Sequence, residues 1–215
     1  MLFRSFFTMK EKKIQTLIID LRGNGGGNDD FGSLLYAYLT DKAFEYYEYL
    51  EMKKPEYSFL KYTDKQESYK DEIKDILIEQ TGKWIRKDSA HPCLPEQPAQ
   101  PNHFNGKVLV LIDGNSFSAT AEFSSIASYH KRALFIGEET GGAYEGNTSG
   151  DGIDLVLPNT KLHVRIPLTK YVCAVKVRPD QVGRGIIPDK MVTPTLKGIL
   201  AGKDEIMEQA LLFVK

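Results

Sequence analysis

Short apolar runs and glycine-rich breaks alternate along this chain. The run "TLIID" (Thr16 to Asp20) stops at "LRGNGGGNDD", which predicts a buried strand feeding a tight loop. Next, "DDFGSLLYAYLT" sets Phe31, Leu34, Leu35 and Tyr38 at i, i+3, i+4 and i+7, the apolar face of a helix. Asp29 and Asp30 suit the positive end of that helix. The pattern then returns. "GKVLVLID" predicts a strand, "SFSATAEFSSIASYHKR" a helix, "ALFIGEE" a strand, and "TGGAYEGNTSGDG" a second glycine-rich loop. "IDLVLPNTKLHVRIPL" carries a Pro-Asn turn signal between two β-type runs and predicts a hairpin. "YVCAVKV" predicts a further strand, "GRGIIPDKMVTPT" a loop, and "KDEIMEQALLFV" a closing amphipathic helix. Strand, glycine loop and helix in that order, twice, is an α/β pattern.

Residues 41–106 differ in character. "AFEYYEYLEMKKPEYSFLKY" is aromatic and partly alternating, which predicts an extended or hairpin segment. "ESYKDEIKDILIEQTGK" predicts a helix with Ile73, Ile76 and Leu77 on one face and Gly82 as its stop. "HPCLPEQPAQPN" has four prolines and must be a loop. The chain therefore reads as a core beginning over 1–40, a mixed insert or lid over 41–106, and the remainder of the core over 107–215. "MLFRSFFTMKEKK" runs apolar to basic, the reverse of a secretory signal. It reads as the tail of a helix whose upstream part is missing.

Composition narrows the function classes. Of 215 residues, 41% are hydrophobic and 27% charged, with a net charge of -1. No basic stripe suggests nucleic acid. No apolar run approaches the roughly 20 residues of a membrane span. The two cysteines, Cys93 and Cys173, make neither a disulfide framework nor a metal site, and no cofactor is expected.

The chemistry concentrates in the two loops that lead into helices. "GNGGGN" matches G-x-G-x-x-G only in part, because the third glycine falls on Asn28. Asp29 and Asp30 would also repel phosphates there, so nucleotide binding is disfavoured. The remaining readings are a turn needing positive φ and backbone N–H groups presented to a developing negative charge. In the second loop, Ser116, Ser118 and Thr120 cluster at a predicted helix start. Such hydroxyls are common N-caps, and a nucleophile also needs a base in reach. His130 lies roughly 18 Å along the same helix from Ser118 and reads as a C-terminal dipole partner. His163 shares a solvated strand face with Lys161 and Arg165. His91 and His103 belong to the proline-rich insert. Glu122 is one turn from Ser118, but a carboxylate is a poor base for a hydroxyl at neutral pH.

Taken together, "LIIDLRGNGGG", "NSFSATAEF", "IGEETGG" and "GRGIIPD", in this order, resemble the C-terminal processing (tail-specific) serine peptidases. The branch most similar includes the tricorn core protease and the domains of interphotoreceptor retinoid-binding protein. The resemblance implies a crotonase- and ClpP-like core of repeated β-β-α units and a serine peptidase acting on extended polypeptide. It implies Ser118 as nucleophile, with Ser116 capping the helix. The backbone N–H groups of Ala119 and Gly26, with Gly27 next, become oxyanion donors. Gly25, Gly27, Gly141 and Gly142 become substrate-binding. The lysine of the family's Ser–Lys dyad falls on Ala143, so that dyad is not available. A Ser–His arrangement with its histidine upstream is the family's other solution, and its supporting carboxylate has no clear counterpart around Gln181 and Val182. The resemblance implies a parent acting in the periplasm, cell envelope or outside the cell. The same fold without a base would be a peptide- or apolar-ligand-binding module.

Overall fold

The computed structural model describes residues 2–63, 65 and 67–214. In chain order the strands are β1 (Thr16–Asp20), β2 (Tyr47–Met52), β3 (Leu77–Gln80), β4 (Lys83–Arg86), β5 (Lys107–Ile112), β6 (Leu134–Gly137), β7 (Gly146–Asn147), β8 (Gly152–Val156), β9 (His163–Pro167), β10 (Thr169–Cys173) and β11 (Lys190–Met191). The helices are α1 (Leu2–Glu11), α2 (Asp29–Ala37), α3 (Tyr69–Lys74), α4 (Ala119–Tyr129), α5 (Leu196–Leu200) and α6 (Glu205–Leu211).

A parallel sheet ordered β1-β5-β6-β11 forms the centre. β5 shows why its run is apolar throughout. Val108, Val110 and Ile112 face one core with Phe123 and Ile126 of α4, while Leu109 and Leu111 face another with Ile206 and Ala210 of α6. Both faces are covered, so alternation gives way to continuous hydrophobicity. Each such side chain stabilises the fold by roughly 1.5–3 kcal/mol on burial. The predicted closing loop contains β11, a two-residue strand that completes this sheet.

An antiparallel sheet ordered β3-β4-β2-β10-β7 stands beside it. β8 and β9 form the expected separate hairpin. The architecture is the mixed α/β core of the crotonase/ClpP type. Residues 41–106 contribute to two clusters. Tyr46, Tyr47 and Leu50 lie in the main core, whereas Leu60, Tyr69, Ile73 and Leu77 pack with Met52, Ile153 and Leu168 in a satellite.

Two expectations need correction. The helix expected over "ESYKDEIKDILIEQTGK" closes at Lys74, and the rest is the β3–β4 hairpin. Thr81 (φ 52°) and Gly82 (φ 77°) form its tip, the paired positive φ that a two-residue hairpin turn requires. Gly82 is thus a turn residue and not a helix stop. In α2, Phe31 and Leu34 are exposed, while Ser33, Tyr36 and Ala37 are buried. The reason is Gly32: a Cβ there would approach the Tyr46 hydroxyl to 2.5 Å and Ala119 O to 3.3 Å. The helix therefore packs through its small residues, which turns Phe31 outward.

Candidate active site

The two glycine- and serine-rich loops are stitched to each other by polar bonds. The Asp113 carboxylate accepts the Gly23 N–H at 3.0 Å and the Asn115 N–H at 2.9 Å. Ser116 Oγ donates to Leu21 O at 2.8 Å and accepts the Asp113 N–H at 3.1 Å. Phe117 N–H donates to Asn24 O at 3.1 Å. Ser116 is fully buried in this joint, so it does not cap α4, contrary to expectation.

Ser118 itself takes the N-cap position of α4, with φ 53° and ψ -130°, and its side chain makes no capping bond. A non-glycine residue in this region is strained by about 1–3 kcal/mol. The hydroxyl is half-exposed and aimed away from the helix it begins. Gly26 (φ 96°) lies directly against it: a Cβ at Gly26 would come within 2.7 Å of Ser118 Cβ and 2.9 Å of Ala119 N. Only a glycine lets the first loop approach this closely. Gly26 N–H donates to Asn24 Oδ1 at 3.0 Å. The N–H groups of Gly27 and Ala119 have no acceptor among the described residues. Gly25 stands in open space. The unpaired Ala119 N–H follows the Ser118 hydroxyl at a helix N-terminus, with the Gly26 turn packed against both, an arrangement suited to an anionic oxygen.

The third and fourth motifs buttress this turn. Gly141 would meet Gly114 O at 2.2 Å if it carried a Cβ, and Gly142 would meet Ala121 Cβ at 2.4 Å. Gly142 N–H donates to Ser116 O at 3.2 Å. Glu139 takes Arg184 Nε at 2.9 Å and the Gly185 N–H at 2.8 Å, and Thr140 Oγ1 accepts the Ile186 N–H at 2.8 Å. Ala143 pairs with Gly185 in an isolated bridge. Gln181 accepts the Arg178 N–H within its own turn. A cleft of about 370 Å³ opens beside Ala119, lined among others by Leu21, Gly27, Phe31, Leu35 and Phe123. The outward-turned Phe31 of α2 thus forms a wall of this cleft.

Ser118 Oγ lies 3.1 Å from Ser149 Oγ. Ser149 Oγ donates to Asn147 Oδ1 at 2.7 Å, and Asn147 Nδ2 donates to Glu122 Oε1 at 2.6 Å. Glu122 is buried, and desolvation raises its pKa despite hydrogen bonds from Tyr47 and Asn147 that oppose the shift. Neither Ser149 nor Asn147 was legible in the sequence, because their polar glycine-rich loop has no periodicity to place it.

No histidine is bonded to Ser118 among the described residues. His130 ends α4 with its ring stacked on Tyr36 at 5.7 Å, and burial lowers its pKa. A downward shift is opposite in direction to the one a dipole-paired cation would show. His103 Nδ1 contacts Gln100 O at 2.9 Å. His163 is exposed on β9. His91 Nε2 lies 3.4 Å from Asp29 Oδ2, and its Nδ1 accepts the Cys93 N–H at 3.3 Å. Asp29, His91 and Cys93 hold potential metal-ligating atoms within 4.8 Å of one another. The Cys93 thiol donates to Asp30 Oδ1 at 3.3 Å, and burial raises its pKa. A metal-bound imidazole donates its second N–H to an acceptor, whereas His91 Nδ1 faces a donor. These groups fit a hydrogen-bonded network better than a metal centre.

The family description "Peptidase family S41" matches residues 2–192. Among solved structures, a candidate peptidase from Parabacteroides merdae ATCC 43184 is similar with a TM-score of 0.63 at 22% identity, covering 97% of this chain and 55% of its own. Mature CPAF is similar at a TM-score of 0.54 and 17% identity, covering 91% of this chain and 43% of its own. The photosystem II D1 C-terminal processing protease gives a TM-score of 0.51 at 18% identity, covering 92% of this chain and 41% of its own. The chain therefore spans about half the length of the structures it matches, or less. No curated protein matches it. No helix among the described residues is long and apolar enough to cross a membrane.

Proposed function

Given that this chain belongs to peptidase family S41, we propose that it carries the nucleophile and oxyanion elements of a serine endopeptidase. Ser118 Oγ attacks the scissile carbonyl carbon. The oxyanion is held by the N–H of Ala119 and of the Gly26–Gly27 turn, with Gly27 free to donate at once and Gly26 after release of Asn24. The amine leaves with a proton, and water hydrolyses the resulting acyl-enzyme. The observation that carries this reading is Ser118 itself: a strained serine at a strand-to-helix turn, uncapped, beside unpaired N–H donors. Such a turn is how other hydrolases expose a nucleophile.

The substrate would lie extended. Among the described residues β7 pairs only with β10, so its other side would take an added strand. Gly25 keeps the opposite wall free of side chains, and the cleft lined by Phe31, Leu35 and Phe123 receives an apolar side chain. Gly141 and Gly142 act on the substrate through the turn they support. The general base is a group that does not touch Ser118 in this arrangement, since Ala143 replaces the lysine and Ser149 is the recorded partner.

A fluorophosphonate probe with mass mapping tests this. The adduct is expected on Ser118, and Ser118→Ala abolishes it. An adduct elsewhere, or peptide hydrolysis that survives Ser118→Ala, would overturn the assignment. The pH profile tests the base: an imidazole gives a plateau above its pKa, while an unassisted hydroxyl gives a rate that keeps rising with hydroxide. The contact with Ser149 in place of a base also favours a second reading, a non-catalytic peptide-binding module. In that case the native chain and Ser118→Ala bind an extended peptide alike and neither turns it over.

A further inference from the structure

Tyr47 poses a proton-counting problem. Its hydroxyl lies 2.7 Å from Glu122 Oε2 and 2.8 Å from Asp29 Oδ2. A phenol has one proton, and two ionised carboxylates have none to offer. If both acids were ionised, one of these short contacts would set an anionic oxygen against a phenol lone pair in a buried place, which is strongly unfavourable. One carboxyl must therefore hold a proton. Asp29 is at the exposed side of the network and faces the His91 ring. Glu122 is 4% exposed. The titratable groups facing it are Tyr46 just before β2, Tyr47 on β2, Asp29 on α2 and Cys173 on β10, with Asn147 on β7. None of these is a lysine or an arginine.

We infer that Glu122 is a neutral carboxylic acid at neutral pH that anchors the string Asn147–Ser149, and that this string orients the Ser118 hydroxyl. Directions around the string follow from single protons. Glu122 donates its proton to the Tyr47 oxygen, and Tyr47 donates to Asp29. Asn147 is fixed by Ser149, whose N–H and Oγ–H both go to Asn147 Oδ1, at 2.9 Å and 2.7 Å. The Asn147 NH₂ must then face Glu122 and needs an acceptor, which the carbonyl oxygen of a neutral acid supplies. Ser149 has used its proton, so at Ser118 it accepts. The Ser118 hydroxyl hydrogen therefore points to Ser149, leaving a lone pair free for a carbonyl carbon. Ser149 is a positioning residue and moves no proton. Neutrality of Glu122 matters because an anion one helical turn from Ser118 would oppose oxyanion formation at the same helix N-terminus.

The inference rests on Ser118 as nucleophile, and the test separates the two. Infrared spectra of the whole chain in D₂O at neutral pH are expected to show a protonated-carboxyl band that Glu122→Gln removes while the melting temperature holds. Gln mimics the neutral acid in shape and donor pattern. Absence of the band, or a large fall in melting temperature in Glu122→Gln, would overturn the neutral anchor. Ser149→Ala is expected to slow fluorophosphonate labelling by about ten- to a hundredfold through misorientation, with an unchanged melting temperature, and Ser149→Thr to restore it. An unchanged labelling rate in Ser149→Ala would overturn the positioning role. If the native chain showed the band but no Ser118 adduct, the nucleophile reading and the positioning role would both fall, and the neutral acid would stand.

Discussion

At the residue scale, Gly26 and Ser118 are a matched pair of unusual backbones. Gly26 uses φ 96° and has no room for a Cβ, and Ser118 uses φ 53° without a cap. Gly26→Ala meets both problems at once, since its methyl would strike Ser118 Cβ and Phe117 O, each at 2.7 Å. It is expected to destabilise the chain by about 1–3 kcal/mol and to suppress labelling of Ser118. Thermal unfolding and labelling of the same variant check this. Gly25→Ala is the control for the melting temperature, because nothing lies within 4 Å of the methyl it would add. The importance of the glycine-rich stretch was legible in the sequence. Which glycine touches Ser118 depends on how Asp113 and Ser116 draw the two loops together, and those bonds link residues 90 or more positions apart.

At the scale of elements, periodicity located most strands and helices but not every face or end. The central strand β5 was plain from its unbroken apolar run. The β3–β4 hairpin was not, because "DEIKDILIEQ" has helical spacing over its first half, and Thr-Gly is a weaker turn signal than Asn-Gly. The helix α5 was missed because it is only five residues long, although Thr195 accepts the Gly198 N–H as an N-cap. At the tip of the β3–β4 hairpin, Gly82→Ala places a side chain at φ 77° and destabilises by about 1 kcal/mol, without altering reactivity at Ser118. A helix there would be stabilised by the same change, so the sign of the shift in melting temperature decides. The relay from Ser118 to Glu122 spans α4, β7 and its following loop, and its parts share no local pattern. That is why a sequence that singled out Ser118 did not reveal what holds its hydroxyl.

At the scale of the molecule, one arginine ties the first loop to the closing helix. Arg22 binds Asp20 and Asp204, and Asp204 also accepts the Met207 N–H at the start of α6. The Arg22 guanidinium and this cap hold the Asp204 pKa at about 2, below its ordinary 3.8, and Arg22 also lowers that of Asp20. A carboxyl depressed on folding contributes stability that is present above the unfolded value and lost as pH falls through the folded one. Stability is therefore expected to decline between about pH 4 and pH 2. Arg22→Ala should flatten this decline, while Arg178→Ala, whose partner Asp180 is fully exposed and screened by solvent, should change it less. Thermal melts across that range read the difference. Partial exposure of both aspartates screens the pairs, so the effect is gradual.

The strained backbone of Ser118 carries a consequence for stability. A glycine would occupy φ 53° and ψ -130° with less strain than serine does. Relieving this torsion would remove the hydroxyl at the turn, so folding stability and the reactivity proposed for residue 118 are set against each other.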